Sequence, residues 1–214
     1  MQATNILMLI FFCLNFKVMG QSKWSLVKSK DGIEIYTRSV PNKPFKETQA
    51  VSTIDGTNLH TIFAVFRDVK NAKKWTFRLY DSYRIQEKNV TSYSNYFEAE
   101  VPWPLTNRDV IYDVEVTQDS VDKTLTISSK SNPSLIPEKK DKVRIKNSFG
   151  IWTFTPIANG KIIAKAHLYA DPVGFPAWVV NIFVVDAPFH TMQGLKKMLK
   201  KDEYQSKKFN FIIE

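Results

Sequence analysis

The side chains that most often carry out chemistry in proteins are sparse in this sequence and show no catalytic spacing. The 214 residues include three histidines, His60, His167 and His190, and a single cysteine, Cys13. The histidines share no metal-ligand spacing, so we expect no metal site and no cofactor. The nucleophile elbow, the Walker phosphate loop and the dinucleotide fingerprint are also missing. We therefore assign no catalytic residue, and these features favour a binding protein over an enzyme.

Acidic residues alternate along two segments that have the period of β-strands. Glu98 and Glu100 share one face of the first segment, and Asp113 and Glu115 share one face of the second, while the opposite faces are apolar. Acids on the polar face of a half-buried strand are normally solvated. We therefore expect these four carboxylates to be exposed. His167 lies in a third alternating segment, where we expect a structural histidine.

The charge balance favours contact with anionic surfaces. Thirty lysines and arginines against 21 acids give a formal net charge of +9, which draws a protein towards negative surfaces. The lysines from Lys196 to Lys201 complement the dipole of a helix end. They lack the interleaved aromatic side chains of a nucleic-acid platform. We expect no nucleic-acid partner, and we expect transient contact with a membrane surface.

The first 20 residues are interpreted as a secretory signal peptide. Ile6 to Phe16 form an almost unbroken apolar run, too short to span a bilayer. Gly20 offers a small residue for cleavage before Gln21. No lysine or arginine precedes the apolar run, so a retained membrane anchor is the alternative. Cleavage would remove Cys13 and leave a chain that suits an oxidising compartment. We expect export to a periplasm or to the cell exterior.

Apolar periodicity, turn signals and a helix cap predict the secondary-structure elements of the domain. Asp31-Gly32 predicts a turn before an alternating strand, and residues 47–54 predict another strand. Asn58 is a plausible N-cap, and the apolar residues after it predict a helix from about 58 to 70. Six β-like segments follow without an intervening helix, which argues for an antiparallel sheet. They lie at about 79–88, 91–101, 109–118, 123–130, 143–157 and 161–171.

A long apolar stripe near the end of the chain predicts a terminal helix. Pro176 suits its first turn, and Pro188 should kink it. The stripe comprises Trp178, Ile182, Val185, Phe189, Met192 and Leu199. The predicted fold class is therefore α+β. We see no repeat or linker, so residues 21–205 are expected to form one monomeric domain, with residues 206–214 as a C-terminal tail.

The order of five sequence motifs resembles that of the START family, the steroidogenic acute regulatory protein-related lipid transfer domains. The similarity covers about residues 22–204, and the motifs are DGIEIYTR, KKW, VPWPLTNRDVIYDV, VRIKNSFGIWTFTPI and DPVGFPAWVVNIFVVDAPFHTMQGLKKML. The Pro-Trp-Pro run followed by Asn-Arg-Asp is fairly specific, and so is DPVGFPAW. The resemblance implies a helix-grip fold, in which a curved antiparallel sheet wraps around a long kinked C-terminal helix and encloses an apolar tunnel.

The resemblance also implies where a ligand and a membrane would bind. Residues 101–107 align with a flap at the tunnel entrance, so Trp103 and Leu105 are expected to contact the membrane interface. The alternative places Trp103 back on the sheet as a plug. Arg108 and Asp109 are expected to pin the base of the flap by ion pairing and turn hydrogen bonds. The ligand cavity would be lined by Ala72, Trp75, Thr76, Phe97, Val110, Tyr112, Val114, Ser148, Trp178, Ile182, Val185 and Phe189.

Departures from the family's polar positions indicate the class of ligand. Members that bind choline lipids carry an arginine and an acid where this sequence has Ala72 and Thr76. Of the aromatic residues that surround the quaternary ammonium in those members, only Phe97 is present here. Both differences disfavour a choline headgroup. The polar residues of ceramide-binding members and the inward arginine of sterol-carrying members are also missing. An apolar lining favours a neutral or weakly polar lipid, whereas Arg144 or Lys146 turned inward would favour an acidic one. We predict a non-catalytic lipid carrier; the alternative is a cyclase- or hydrolase-type enzyme that uses the same cavity.

Overall fold

The computed structural model describes residues 23–43, 45–171, 174–175, 179–180 and 182–213, with the backbone alone for Ile182. The predicted signal peptide, residues 1–20, and the predicted cavity residue Trp178 lie outside these ranges.

Ten strands within the described residues form a single sheet. Its order is β1-β2-β3-β10-β9-β7-β6-β5-β4, with antiparallel neighbours, and the short β8 pairs with β6 in parallel. The concave face of this sheet holds the apolar core. The strands are β1 Ser25–Lys30, β2 Ile33–Arg38, β3 Glu47–Ile54, β4 Leu79–Asn89, β5 Ser92–Ala99, β6 Arg108–Gln118, β7 Leu125–Ser131, β8 Val143–Arg144, β9 Ser148–Ile157 and β10 Lys161–Ala170.

The predicted strands are confirmed, with one division. Residues 143–157, predicted as one strand, form β8 and β9. Backbone hydrogen bonds explain the division, because Val143 N donates to Asn107 O at 3.1 Å and Ile145 N donates to Asp109 O at 2.8 Å. These bonds hold β8 against the start of β6 rather than in line with β9. The predicted turn at residues 31–32 joins β1 to β2.

The first helix begins and ends close to the predicted positions. Helix α1, Leu59–Arg67, is capped by Asn58, whose side-chain Oδ1 accepts a hydrogen bond from Thr61 N at 2.9 Å. A 3₁₀ helix, Val69–Lys74, follows it directly. The predicted helix over residues 58–70 is thus α-helical at first and then tightens into 3₁₀ form.

The terminal helix contains a π-helical turn before its regular α-helical part. Residues Ile182–Asp186 form a π-helical turn, and helix α2, Ala187–Met198, follows. Pro188 has no N–H with which to bond the carbonyl of Val184, four residues earlier. The hydroxyl of Thr48 on β3 donates to that oxygen at 3.0 Å. The irregularity expected at Pro188 therefore lies in the turn before it.

Helix α2 rests on the concave face and comes very close to the chain after the 3₁₀ helix. A Cβ atom added to Gly194 would lie 2.2 Å from the carbonyl oxygen of Trp75, well below the 3.4–4 Å of ordinary contact. Only a residue without a side chain permits this approach. Met192 and Leu195 on the same helix are fully buried in the core.

Residues 206–213 pack against α1. A short helix α3, Asp202–Gln205, precedes them. The ring of Phe63 on α1 meets the rings of Phe209 and Phe211 edge-on, at centroid distances of 4.6 and 5.0 Å. Ile212 is buried. The described part of the predicted tail, residues 206–213, thus contributes to the core. Among the described helices, none is long and apolar enough to cross a membrane.

Candidate functional site

A cavity of about 360 Å³ lies between the concave face of the sheet and the terminal helix. Its wall is formed by inward-facing residues of the middle strands, by the 3₁₀ helix and by the start of the terminal helix. Most of these side chains are apolar or aromatic. The volume falls within the roughly 300–1,000 Å³ typical of small-molecule sites.

Seven of the predicted cavity residues lie in this wall. Strand pairing explains part of the set, because Phe97 on β5 lies directly opposite Val110 on β6, and alternate residues of each strand face the same side. The 3₁₀ helix and the residues after it supply the remainder. The seven are Ala72, Trp75, Thr76, Phe97, Val110, Tyr112 and Val114.

Three further predicted residues are described by the structure but lie outside the cavity wall. Ser148 is buried, and its hydroxyl donates to the hydroxyl of Tyr112 at 2.8 Å. Val185 packs against the core. Phe189 is buried, and the ammonium of Lys28 lies 4.1 Å from the centre of its ring. The predicted cavity residues Trp178 and, for its side chain, Ile182 lie outside the described part of the chain.

The terminal helix turns a neighbouring row of side chains towards the cavity. Two adjacent rows of this helix carry apolar residues at α-helical spacing, and the predicted row, which includes Phe189 and Met192, faces the core rather than the cavity. The row that lines the cavity is Val180, Phe183, Val184, Ala187, Pro188 and Thr191.

Several polar groups interrupt the apolar wall. Burial raises the pKa of the Tyr112 hydroxyl, which accepts a hydrogen bond from Ser148. Trp75 Nε1, Asn95 Oδ1 and the Tyr169 hydroxyl are buried and have no hydrogen-bond partner in the structure. The sequence analysis missed Asn95 and Tyr169. The alternation of β5 was the available signal for Asn95, because it lies two residues before the inward-facing Phe97.

Arg108, the first residue of β6, is also part of the cavity wall. It is buried, and its guanidinium lies 4.1 Å from the centre of the Phe175 ring and donates to the carbonyl of Thr106. Desolvation lowers its pKa. The turn hydrogen bond agrees with the predicted role at the flap base, whereas the position in the wall was not expected. The alternation of β6 was the signal, because Val110 shares its strand face.

The two basic residues considered as possible cavity groups are engaged elsewhere. Both oxygens of the buried Asp109 carboxylate accept from Arg144, from Nε at 2.8 Å and from Nη2 at 2.9 Å. This ion pair pins the start of β6, as predicted for Asp109. Lys146 is exposed, and its ammonium lies 3.0 Å from the carboxylate of Glu138. Neither residue lines the cavity.

The flap, residues 101–107, lies between β5 and β6 and is anchored at its base. The side chain of Asn107 accepts from Val101 N at 3.1 Å and donates to Glu98 at 2.8 Å, and the ammonium of Lys142 lies 3.0 Å from the same carboxylate. Glu98 is buried, and the expectation that it is solvated was wrong, because Lys142 from the connection between β7 and β8 lies over it. At the tip, Trp103 is 91% exposed, so it does not fold back onto the sheet as a plug.

His167 belongs to an ion-pair cluster outside the cavity wall. Its Nε2 lies 2.9 Å from the carboxylate of Glu47, which also accepts from Arg38 and Lys43. Desolvation opposes ionisation of Glu47, but these hydrogen bonds outweigh it and lower its pKa from 4.5 to about 2. The Glu47 carboxylate is therefore ionised at neutral pH, and the cluster is a structural contact. Among the described residues, no group of three His, Cys, Asp or Glu side chains could hold a metal ion.

An antiparallel sheet that grips a C-terminal helix and leaves an apolar cavity between them defines a helix-grip ligand-binding protein. Over 179 residues the chain is 32% identical to the uncharacterized protein PA1579 of Pseudomonas aeruginosa, covering 83% of this chain and 87% of that protein. It is 25% identical to mouse START domain-containing protein 10, of which it spans 60%.

A solved structure shows the same architecture. A STAR-related lipid transfer protein from Xanthomonas axonopodis matches with a TM-score of 0.76 at 29% identity, over 83% of this chain and 99% of that one. No protein-family model matches the sequence. The chain belongs to the START domain family, and the helix-grip prediction is confirmed.

Proposed function

We propose that this protein is a non-catalytic lipid carrier, which binds one lipid molecule in the cavity and exchanges it at a membrane. The observation that carries this proposal is the largely apolar cavity of about 360 Å³ between sheet and helix. Removal of a hydrocarbon chain from water into such a site supplies the binding free energy. The name of the Xanthomonas relative, a lipid transfer protein, supports the same function.

The proposed ligand is a neutral or weakly polar lipid. The positions that would hold a charged headgroup in choline-binding relatives are Ala72 and Thr76 here, and both line the cavity. The alternative of an acidic lipid depended on Arg144 or Lys146, which form ion pairs away from the cavity. Arg108 does contribute positive charge to the wall, but its guanidinium packs on the Phe175 ring.

Exchange is proposed to take place at the flap. Trp103 is 91% exposed at its tip, and an indole ring is favourable at the interface between lipid headgroups and acyl chains. Leu105, half-buried beside it, would add apolar contact. The positive net charge would draw the flap towards anionic vesicles.

The experiment that tests this proposal measures transfer of pyrene-labelled diacylglycerol between vesicles of phosphatidylcholine and phosphatidylglycerol. We expect Trp103→Ala to slow transfer roughly tenfold, which corresponds to about 1.4 kcal/mol of lost membrane contact. Val121→Ala is the matched control, because Val121 is 88% exposed in the turn after the far end of β6. It should transfer at the wild-type rate.

Two results would contradict the proposal at different points. If Trp103→Ala transfers lipid as fast as the wild type, the flap is not the membrane contact. If the wild type transfers no lipid, and native mass spectrometry after incubation with the vesicles shows only the bare protein, the carrier function is wrong.

A further inference from the structure

The cavity reaches solvent at one end of the sheet, which we call the mouth. Lys46 lines the cavity and is exposed, and Phe45 and Phe175, which also line it, are half-buried. Lys46 directly precedes β3, and Arg108, another wall residue, begins β6. Strand pairing across β10, β9 and β7 places the start of β3 and the start of β6 at the same end of the sheet. The mouth therefore lies at that end.

At the other end, the wall stops at nearly the same level on neighbouring strands. The last wall residues there are Tyr93 on β5, opposite Val114 on β6, and Ile127 on β7, opposite Trp152 on β9. Alternate residues of a strand share a face, so the next inward positions show what lies beyond the cavity. On these strands and on β10 they are all buried in the core: Val116, Leu125, Phe154 and Ala166.

Helical residues close the same end. The wall row of α2 ends at Thr191, and Leu195, one turn later, is fully buried in the core. Phe66 of α1 lies in the wall, and its ring contacts the rings of Trp75 and Trp152 at centroid distances of 5.2 and 5.3 Å. These three aromatic side chains form the floor of the cavity, and the packed core begins behind them.

The space between mouth and floor is long and narrow. From Arg108 to Val114 the wall follows β6 for roughly 20 Å, at about 3.3 Å per residue. The cavity volume is about 360 Å³. This shape suits an extended hydrocarbon chain that enters with its methyl end first. The polar end of the lipid then stays at the mouth in contact with water, which avoids the cost of burying it.

We infer that the floor, formed by Phe66, Trp75 and Trp152, sets the maximum length of the hydrocarbon chain that this protein binds. This inference rests on the proposed carrier function and narrows its ligand by chain length. Each methylene buried between mouth and floor adds binding free energy until the chain end contacts the floor. Further methylenes remain outside the mouth in water and add none.

The test measures displacement of the neutral fluorescent reporter N-phenyl-1-naphthylamine by saturated 1-monoacylglycerols. The series runs from the octanoyl to the octadecanoyl chain in steps of two carbons. The affinity of the wild type should rise about fourfold for each added methylene. It should then stop rising at one chain length, which we call the limit length.

Two variants deepen the floor. Trp152→Leu and Phe66→Leu each replace an aromatic ring with a smaller side chain, so the limit length should increase by at least one step of the series. Phe183→Leu is the matched control. Phe183 also lines the cavity, but its ring lies 5.5 Å from that of Phe175, on which the guanidinium of Arg108 packs near the mouth. This variant should change the affinity for all chains alike and keep the wild-type limit length.

The outcomes distinguish the chain-length limit from the carrier function. If the monoacylglycerols displace the reporter but the wild type shows no limit length within the series, the inference is refuted and the lipid cavity stands. The same holds if the floor variants that fold, as checked by circular dichroism, keep the wild-type limit length, or if Phe183→Leu shifts it as they do. If no monoacylglycerol displaces the reporter from the wild type, the carrier function fails and the chain-length limit fails with it.

Discussion

The close approach of helix α2 to Trp75 makes a quantitative prediction for Gly194→Ala. On an ordinary helix, glycine to alanine is stabilising by about 1 kcal/mol. Here the new Cβ would lie 2.2 Å from the carbonyl oxygen of Trp75 and 2.9 Å from its carbonyl carbon and Cα, where ordinary contact needs 3.4–4 Å. All three atoms belong to rigid backbone, so the helix must move. Such overpacking costs typically about 1–3 kcal/mol.

We therefore expect Gly194→Ala to lower the free energy of unfolding by about 1–3 kcal/mol despite its better helix propensity. It should also weaken lipid binding, because α2 and Trp75 both contribute to the cavity wall. Stability is measured by urea unfolding followed by circular dichroism. Lipid binding is measured as the displacement of a bound fluorescent reporter, N-phenyl-1-naphthylamine, by lipid.

A pair of variants at an exposed site of the same helix isolates the propensity term. Lys197 is exposed, so Lys197→Ala should be more stable than Lys197→Gly. At position 194 the order of alanine and glycine should reverse. If Gly194→Ala is as stable as the wild type or more so, the close contact is not rigid and the reasoning is refuted.

Two further predictions concern the terminal helix and the ion-pair cluster. Thr48→Val removes the hydrogen-bond donor to the carbonyl of Val184 and should lower the free energy of urea unfolding by about 1 kcal/mol. Thr53→Val, at an exposed position of the same strand, should leave it nearly unchanged. Equal stability of the two variants would contradict this prediction. The pKa of Glu47 is lowered from 4.5 to about 2 in the folded protein, so its stabilisation is present above about pH 5 and is lost as the pH falls towards 2. Glu47→Gln should show a smaller loss of stability between pH 6 and pH 3 than the wild type, and an unchanged slope would show that Glu47 does not contribute.

Local sequence signals predicted most of the individual elements. The cap at Asn58 and the turn at residues 31–32 depend on the backbone within a few residues, and the structure confirms both. Strand alternation worked for the same reason. It predicted an apolar face on each of two strands, the family resemblance assigned Phe97, Val110 and Tyr112 to the ligand cavity, and all three line it.

Distant contacts overturned other expectations. Glu98 lies on the polar face of its strand, yet it is buried because Lys142, more than 40 residues later, lies over it. The alternation of β5 and β6 also carried polar groups inward at Asn95 and Arg108, which an analysis of apolar periodicity passes over. Their environment depends on elements that meet only in the folded chain.

The sequence by itself determined the order of strands and helices, the family and the inner faces of the central strands, because these depend on alternation, caps and motifs that are local or recur in order along the chain. The tertiary structure decided which row of the terminal helix faces the cavity, which polar groups in its wall remain unpaired, and how closely Gly194 approaches Trp75. Each of these depends on a distance between elements far apart in sequence. Two rows of the terminal helix carry the same apolar periodicity, and the close approach of Gly194 to Trp75 leaves no periodic signal in the sequence.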